Sequence, residues 1–372
     1  MAPRSARPAL PSLALVITLP LVPGCSLLND ILSQQDGNLE TRTFSATTTS
    51  GRADLDIDIT DEASFELTAT SGHDLAVEDL FDPDGNTVMH WEDWYSTQSL
   101  TSAIWLEGQD TVFNWPIRAE DGKLSKGTWT VSVGVVDNQG HYVDDEVAAN
   151  VKLKTDSDLS KGTVRARIVY AEGLMDDPTV VAGVEDAVAT WKDIWGAYGL
   201  NLEESYESSS YSLDQPFPGE GAEDSDVAAG SDGSEITVLV GETIDGSLDY
   251  YGIAGSIPGT LAKTNRALVI VSWLANSGGD GQFNSDDTRL FGETLAHECG
   301  HYLGLFHPVE TTFDYWDALS DTQDCSTQSG CENNLGENLM FPYPVCDWIS
   351  CVPQQTMTDQ QGGVTQRYTG TL

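Results

Sequence analysis

Basic residues are scarce in this chain. Of its 372 residues only 17 are Lys or Arg, against 59 Asp or Glu, a formal charge of −42. This excludes a generic nucleic-acid binder, whose phosphate contacts need a basic surface. It equally excludes docking on an anionic membrane through a basic patch. Beyond residue 24 no stretch approaches the ~18 consecutive apolar residues of a membrane-crossing helix, so none is expected. C-x-x-C pairs are absent among the six cysteines, which removes a zinc ribbon. Disorder is not the explanation for so acidic a chain: 40% of residues are hydrophobic and 9% aromatic, enough for a core, and the length suits about two domains. The acidity fits a strongly solvated surface, calcium sites or a salty habitat, and composition does not choose among them.

The first segment reads as an address. Arg4 and Arg7 precede the apolar stretch Leu13–Leu21, too short to span a bilayer. It runs into Val22-Pro23-Gly24-Cys25, which resembles a bacterial lipobox. The resemblance implies removal of residues 1–24 as a signal peptide and acylation of Cys25, with residues 25–40 as anchor and polar tether. Pro23 is not the usual residue at its position, and an ordinary secretory signal with an incidental cysteine is the alternative. Both predict export, and the first predicts an outer-membrane or cell-surface lipoprotein.

Period two follows. Ala53–Ile59 alternates apolar and acidic residues, Phe65–Thr68 repeats the alternation, and Gly127–Val133 and Val147–Leu153 read as further strands. Asp82-Pro83-Asp84-Gly85-Asn86 is turn chemistry. An antiparallel β-sandwich over 41–155 is expected. DPDGNTV and GTWTVSV resemble segments of small sandwich modules beside secreted bacterial proteases, which implies a binding module or a spacer. His73, His90 and His141 fall here without metal spacing.

Residues 156–162 read as a linker, and residues 163–372 as an α/β domain. Gly162–Tyr170 and Glu235–Val240 are expected strands. Val180, Val184, Val188, Trp191 and Trp195 share one helical face, with Asp177 at the N-cap and Pro178 at the first helical position. Residues 203–234, rich in Ser, Gly and acids, read as a surface loop, and Leu268–Leu274 as a strand buried on both faces.

The segment His297–His307, HECGHYLGLFH, fits H-E-x-x-H-x-x-G-x-x-H at every fixed position. Asp286 and Asp287 suit the start of a helix. His297 and His301, four apart, point the same way from it. Gly304 can take the left-handed conformation that ends the helix and brings His307 round as a third ligand. Three neutral imidazoles suit Zn²⁺ and leave one tetrahedral position for water, whose pKa zinc lowers towards ~7. Glu298 beside the first ligand can take that water's proton as general base and pass it to a leaving amine. Three of the six histidines fall on this one spacing.

This long signature is similar to that of the metzincin metallopeptidases. The resemblance implies a Met-turn, matched by Asn338-Leu339-Met340-Phe341-Pro342-Tyr343, with Met340 as an apolar floor beneath the metal. Asp317–Thr322 and the cysteines before Met340 resemble the pappalysin-like branch, as does Met357-Thr358-Asp359-Gln360. Gln323 departs from that branch, and Pro342 stands where it carries Tyr, so Tyr343 is either a transition-state stabiliser or a packing residue. Tyr251–Ser256 is the edge strand expected to pair with substrate, by resemblance and position. With no cysteine between Cys25 and the histidine motif, latency through an N-terminal thiolate has no candidate. Cys299 is expected to be a buried thiol. Cys325, Cys331, Cys346 and Cys351 are expected to form two disulfides, with three connectivities open. Calcium candidates are Asp280, Asn284, Asp286 and Asp287, or Asp317 and Asp321. The reading is an exported zinc endopeptidase acting on proteins or peptides; the alternative is a non-catalytic surface-binding or adhesion lipoprotein keeping a structural zinc site.

Overall fold

The computed structural model of the chain describes residues 33–36, 38–94, 98–106, 108–221, 223–346 and 350–372. Cys25 and the signal segment lie outside them. Within them come strands β1 (Ser33–Asp36), β2 (Leu39–Thr47), β3 (Arg52–Ile59), β4 (Ser64–Thr70), β5 (Asp74–Phe81) and β6 (Thr87–His90), and a helical turn α1 (Trp91–Trp94). Then follow β7 (Gln98–Ser99), β8 (Asp110–Trp115), β9 (Gly127–Val136) and β10 (Glu146–Lys154). All but β7 form two antiparallel sheets, ordered β1-β2-β10-β4-β8 and β3-β9-β5-β6, whose apolar faces share one cluster.

The alternation in β3 is realised as expected. Leu55, Ile57 and Ile59 are buried, while Asp54, Asp56 and Asp58 face out and accept hydrogen bonds from Ser132, Thr130 and Thr128 of β9. This is a cross-strand ladder of the kind that fixes register. Ser33–Asp36, within the segment 25–40 read as anchor and tether, pairs with Leu39–Arg42. One expectation needs correction. β4 is not half-buried. Its polar face is covered by the second half of the chain, so Ser64, Glu66 and Thr68 are as buried as Phe65 and Leu67.

The second half comprises β11 (Gly162–Tyr170), α2 (Pro178–Gly196), β12 (Leu200–Ser208), β13 (Asp214–Gln215), α3 (Asp224–Ala229), β14 (Ile236–Gly241), β15 (Thr243–Ile244), β16 (Gly252–Ala254) and β17 (Leu268–Ser272). It continues with α4 (Trp273–Asn276), α5 (Ser285–Tyr302), β18 (Trp316–Asp317), α6 (Gln328–Leu335) and α7 (Asp359–Arg367). Its five-stranded sheet has the order β12-β11-β14-β17-β16; the first four strands are parallel and β16, at the edge, is antiparallel. Asp177 caps α2 by accepting from the Thr179 N–H at 2.8 Å, and Pro178 follows it. Trp191 and Trp195 of α2 meet edge to face, 5.0 Å apart, inside the core.

The segment 203–234 is not all loop. Leu200 and Leu202 anchor β12, which pairs with β11 up to Ser208, and α3 follows. Its polar composition reflects an edge strand with one solvated face rather than absence of structure. The apolar run at 268 is fully buried as a strand but ends at Ser272, whose hydroxyl accepts from the Ala275 N–H and turns the chain into α4.

The two halves meet on β4. Glu66 accepts hydrogen bonds from Thr68 Oγ1 (2.6 Å), Thr260 Oγ1 (3.0 Å) and the Leu261 N–H (3.0 Å). Thr369 bonds both Ser64 and Asn114, and Lys154 Nζ donates to the Thr371 carbonyl at 2.5 Å. Burial raises the Glu66 carboxyl above its usual range, and those hydrogen bonds only partly offset it. A raised carboxyl stabilises the fold fully below its unfolded value, near 4.3, and the contribution is lost as pH rises through the raised folded value. Glu66→Gln can keep the contacts, with the amide towards the hydroxyls, and should flatten the alkaline fall in Tm. Glu66→Ala should lower stability by ~1–3 kcal/mol by orphaning the Leu261 N–H. Thermal denaturation from pH 4 to 9 measures both.

Candidate metal centre and its cleft

Helix α5 is launched by a capping box. Asn284 Oδ1 accepts from the Asp286 and Asp287 N–H groups, and Asp287 returns a bond to the Asn284 N–H. One buried face of the helix carries Phe291, Leu295, Cys299 and Tyr302 into the core. It ends in a turn where Gly304 has φ +104°, as expected for the bend that returns the chain.

That bend brings the three imidazoles together. His297 Nε2 is 3.3 Å and His301 Nε2 3.1 Å from His307 Nε2. The opposite nitrogen of each ring is engaged. His297 Nδ1 donates to the Leu339 carbonyl at 2.7 Å, His301 Nδ1 to the Leu305 carbonyl at 2.6 Å, and His307 Nδ1 to Glu310 Oε2 at 2.9 Å. With each proton on Nδ1, three Nε2 lone pairs converge. Burial, aided by His307, pushes His297 down to about 3 and His301 well below its usual value, so both rings are neutral. Uncompensated lone pairs so close repel; a cation among them removes the conflict. Tetrahedral nitrogen ligands ~2.0–2.1 Å from zinc stand ~3.3 Å apart, so the donor set fits that ion. Among the described residues this is the only group of three or more His, Cys, Asp or Glu that could hold a metal.

Glu298 lies half-buried beside the triad, and desolvation raises its carboxyl to about 8 against the pull of the Ala254 N–H. That donor lies on β16. Gly255 N–H to Leu268 O and Ser272 N–H to Tyr251 O, with the register between them, turn the N–H and C=O of Gly252 and Ala254 away from β17, towards the cleft. Gly252 packs so closely on Glu298 that a Cβ there would stand 2.6 Å from Glu298 Cγ. Met340 is fully buried under the helix, where a Cβ on Gly300 would lie 2.8 Å from its sulfur. Tyr343 lines a cavity of about 260 Å³ together with His297, Glu298 and Tyr251. Its ring meets Phe341 edge-on, 4.9 Å away, and its hydroxyl donates to Glu332 Oε1 at 3.2 Å.

The remaining candidates lie elsewhere. Cys325–Cys331 and Cys346–Cys351 form the two disulfides, and Cys299 is a buried free thiol. Disulfides of this kind belong to exported proteins. Among the described residues no helix is long and apolar enough to cross a membrane. The calcium candidates do not gather: Asn284 and Asp287 cap α5, Asp317 Oδ1 accepts from Leu319 N–H and Thr322, and Asp321 accepts from Gln360 N–H. His73, His90 and His141 each pair with a carboxylate, Asp145, Asp79 and Asp137. Sequence reasoning missed Glu310, which a search for a carboxylate one turn past the third histidine would have found. It also missed the backbone acceptors Leu305 and Leu339, which carry no side-chain signal.

No protein-family model matches the chain, and no curated protein matches it. Among solved structures, metalloproteinase-II from Bacteroides fragilis is similar at 13% identity and a TM-score of 0.29, over 50% of this chain and 61% of that one. The chain thus spans less than two thirds of that protein's length. Myroilysin is similar at 12% identity and a TM-score of 0.24, over 55% of this chain and 92% of that one. Likenesses of this strength carry no argument about activity.

Glu310→Ala should weaken zinc binding ~10–100-fold, because it frees the His307 ring and tautomer, with little change in Tm of the metal-free protein. Competition with a chelating dye measures it. Gly252→Ala should leave zinc affinity unchanged yet cost ~1–3 kcal/mol of stability by forcing β16 and Glu298 apart.

Proposed function

We propose that the chain is an exported, zinc-dependent endopeptidase, lipid-anchored through Cys25. In this reading residues 41–155 are a β-sandwich and residues 163–372 a metzincin-like catalytic domain of the pappalysin-like type. The observation that carries it is the convergence of three Nε2 lone pairs beside the half-buried Glu298, facing an open sheet edge. A site that only stored zinc would need the imidazoles but neither the carboxylate nor the edge.

His297, His301 and His307 would hold the metal. A bound zinc ion supplies the positive charge that polarises a peptide carbonyl and acidifies water. The chain's own groups do the rest. The outward N–H and C=O of Gly252 and Ala254 pair with an extended substrate and fix its scissile bond over the triad. Substrate pairing competes for the Ala254 N–H and so releases Glu298 from that bond. Glu298, which a cation held by the three imidazoles would keep as the carboxylate, then takes a proton from the attacking water as its oxygen bonds to the carbonyl carbon. It returns that proton to the amine as the C–N bond breaks. Met340 keeps the floor of the site apolar. Tyr343 can reach a developing oxyanion only by giving up its bond to Glu332; otherwise it packs on Phe341.

Wild type and Glu298→Ala, assayed for zinc and against a mixed peptide library, test the reading. Zinc in both with cleavage falling ~10²–10⁴-fold in the variant is expected. Zinc in both with no cleavage by wild type would instead favour a surface-binding protein with a structural metal.

A further inference from the structure

A second and larger cavity, about 960 Å³, opens on the other side of the triad. Its volume is at the upper end of the ~300–1,000 Å³ typical of ligand sites. The N-terminal sheets and the loop after His307 build it jointly. Ala76, Ile104, Trp105 and Leu106 line it from the first half, and Phe306, His307 and Tyr315 from the second. Trp105 and Phe306 meet edge to face across the junction, 5.8 Å apart. β18 pairs with β7 beside it, joining the halves by main chain, and Trp316 Nε1 donates to the carbonyl of Cys325, a disulfide residue. Leu106, Tyr142 and Tyr315 stay 49% exposed around the opening, a concentration of apolar surface on a very acidic protein.

Its position relative to β16 says what enters it. Past Ala254 the chain reaches Ile257, whose carbonyl accepts from the Ser102 N–H at 2.7 Å and whose N–H donates to Ser102 Oγ at 3.3 Å. Ser102–Ile104 leads directly into Trp105 and Leu106, so the large cavity lies beyond the C-terminal end of β16. The smaller cavity, with Tyr250 and Tyr251, lies at its N-terminal end. Antiparallel pairing is the more stable way to extend this edge. A peptide so paired sends its residues on the amino side of the scissile bond past His307 into the large cavity. The carboxylates within it, Glu78 and Glu310, are already bonded to Arg52 and Tyr142, and to His307, and repel an acidic side chain.

We propose that the N-terminal β-sheet half is part of the substrate site: with the loop after His307 it forms a pocket for aromatic or large aliphatic side chains on the amino side of the scissile bond. This rests on the peptidase reading. The test uses the full chain and has two arms. In the first, the cut sites of wild type in a peptide library are compared with those of Leu106→Asp and Tyr315→Asp, two exposed positions whose substitution spares the core. Expected is at least ~10-fold enrichment of Phe, Trp or Leu over Asp on the amino side, reduced at least ~5-fold in both variants. Carboxyl-side preferences and zinc content should not change. In the second, N-acetylated peptides differing only in Phe or Asp at those positions are titrated into zinc-loaded Glu298→Ala. Phe peptides should bind ~10-fold tighter, and Leu106→Asp in that background should abolish the difference.

No amino-side preference, or one that both variants retain, overturns the proposal. So does a concentration-dependent dimer dissolved by Leu106→Asp, which would seat a second copy in the cavity. Peptide binding with the predicted discrimination but no cleavage by wild type would overturn the peptidase reading and leave the pocket standing.

Discussion

Everything at the candidate centre depends on where three ring protons go. Each imidazole donates from Nδ1 to an acceptor fixed by a different part of the chain: the Leu339 carbonyl, the Leu305 carbonyl and the Glu310 carboxylate. Those bonds select the tautomer and aim the lone pairs inward before any ion arrives. They also couple elements far apart in sequence. The bond to Leu339 ties the segment carrying Met340 to the helix, and the bond to Leu305 ties the glycine bend to the turn before it. The metal-binding geometry is therefore a property of the tertiary fold and would not survive in an isolated helix.

The cleft adds a second constraint, closeness. Gly252 and Gly300 lie where any side chain would strike Glu298 or Met340. The sheet edge can thus approach the carboxylate closely enough for its outward N–H to bond it. Edge strands left unpaired invite aggregation, and natural folds usually blunt them. Here β16 is only three residues long and flanked by the carboxylate and the cavity walls, which keeps a reactive edge too short to template another sheet.

Local patterns carried well from sequence to structure. The Asp177-Pro178 start of α2, the alternating acids of β3, the buried run of β17 and the histidine spacing all became what their periodicity implied. The failures share one cause. Phe65–Thr68 looked half-solvated because alternation cannot reveal that a second half of the chain will cover the polar face. Residues 203–208 looked like loop because an edge strand with one wet face has loop composition. The candidate metal ligands were legible because their types and spacing are chemically demanding. Their supporting acceptors were not, since a carbonyl belongs to every residue and only the fold decides which one is aimed.

The junction between the halves has a kinetic consequence. Ser64 bonds Thr369 across 305 positions, Asn114 bonds Thr369 across 255 and Lys154 bonds Thr371 across 217. Contacts so distant form only after large loops close, and they are expected late in folding. Both sheets can be complete while β4 still shows water a row of polar side chains meant for burial. Such an undocked species would carry the histidine helix yet lack the large cavity, which exists only between the halves. Maturation of the cleft is then set by the last docking step rather than by formation of either part.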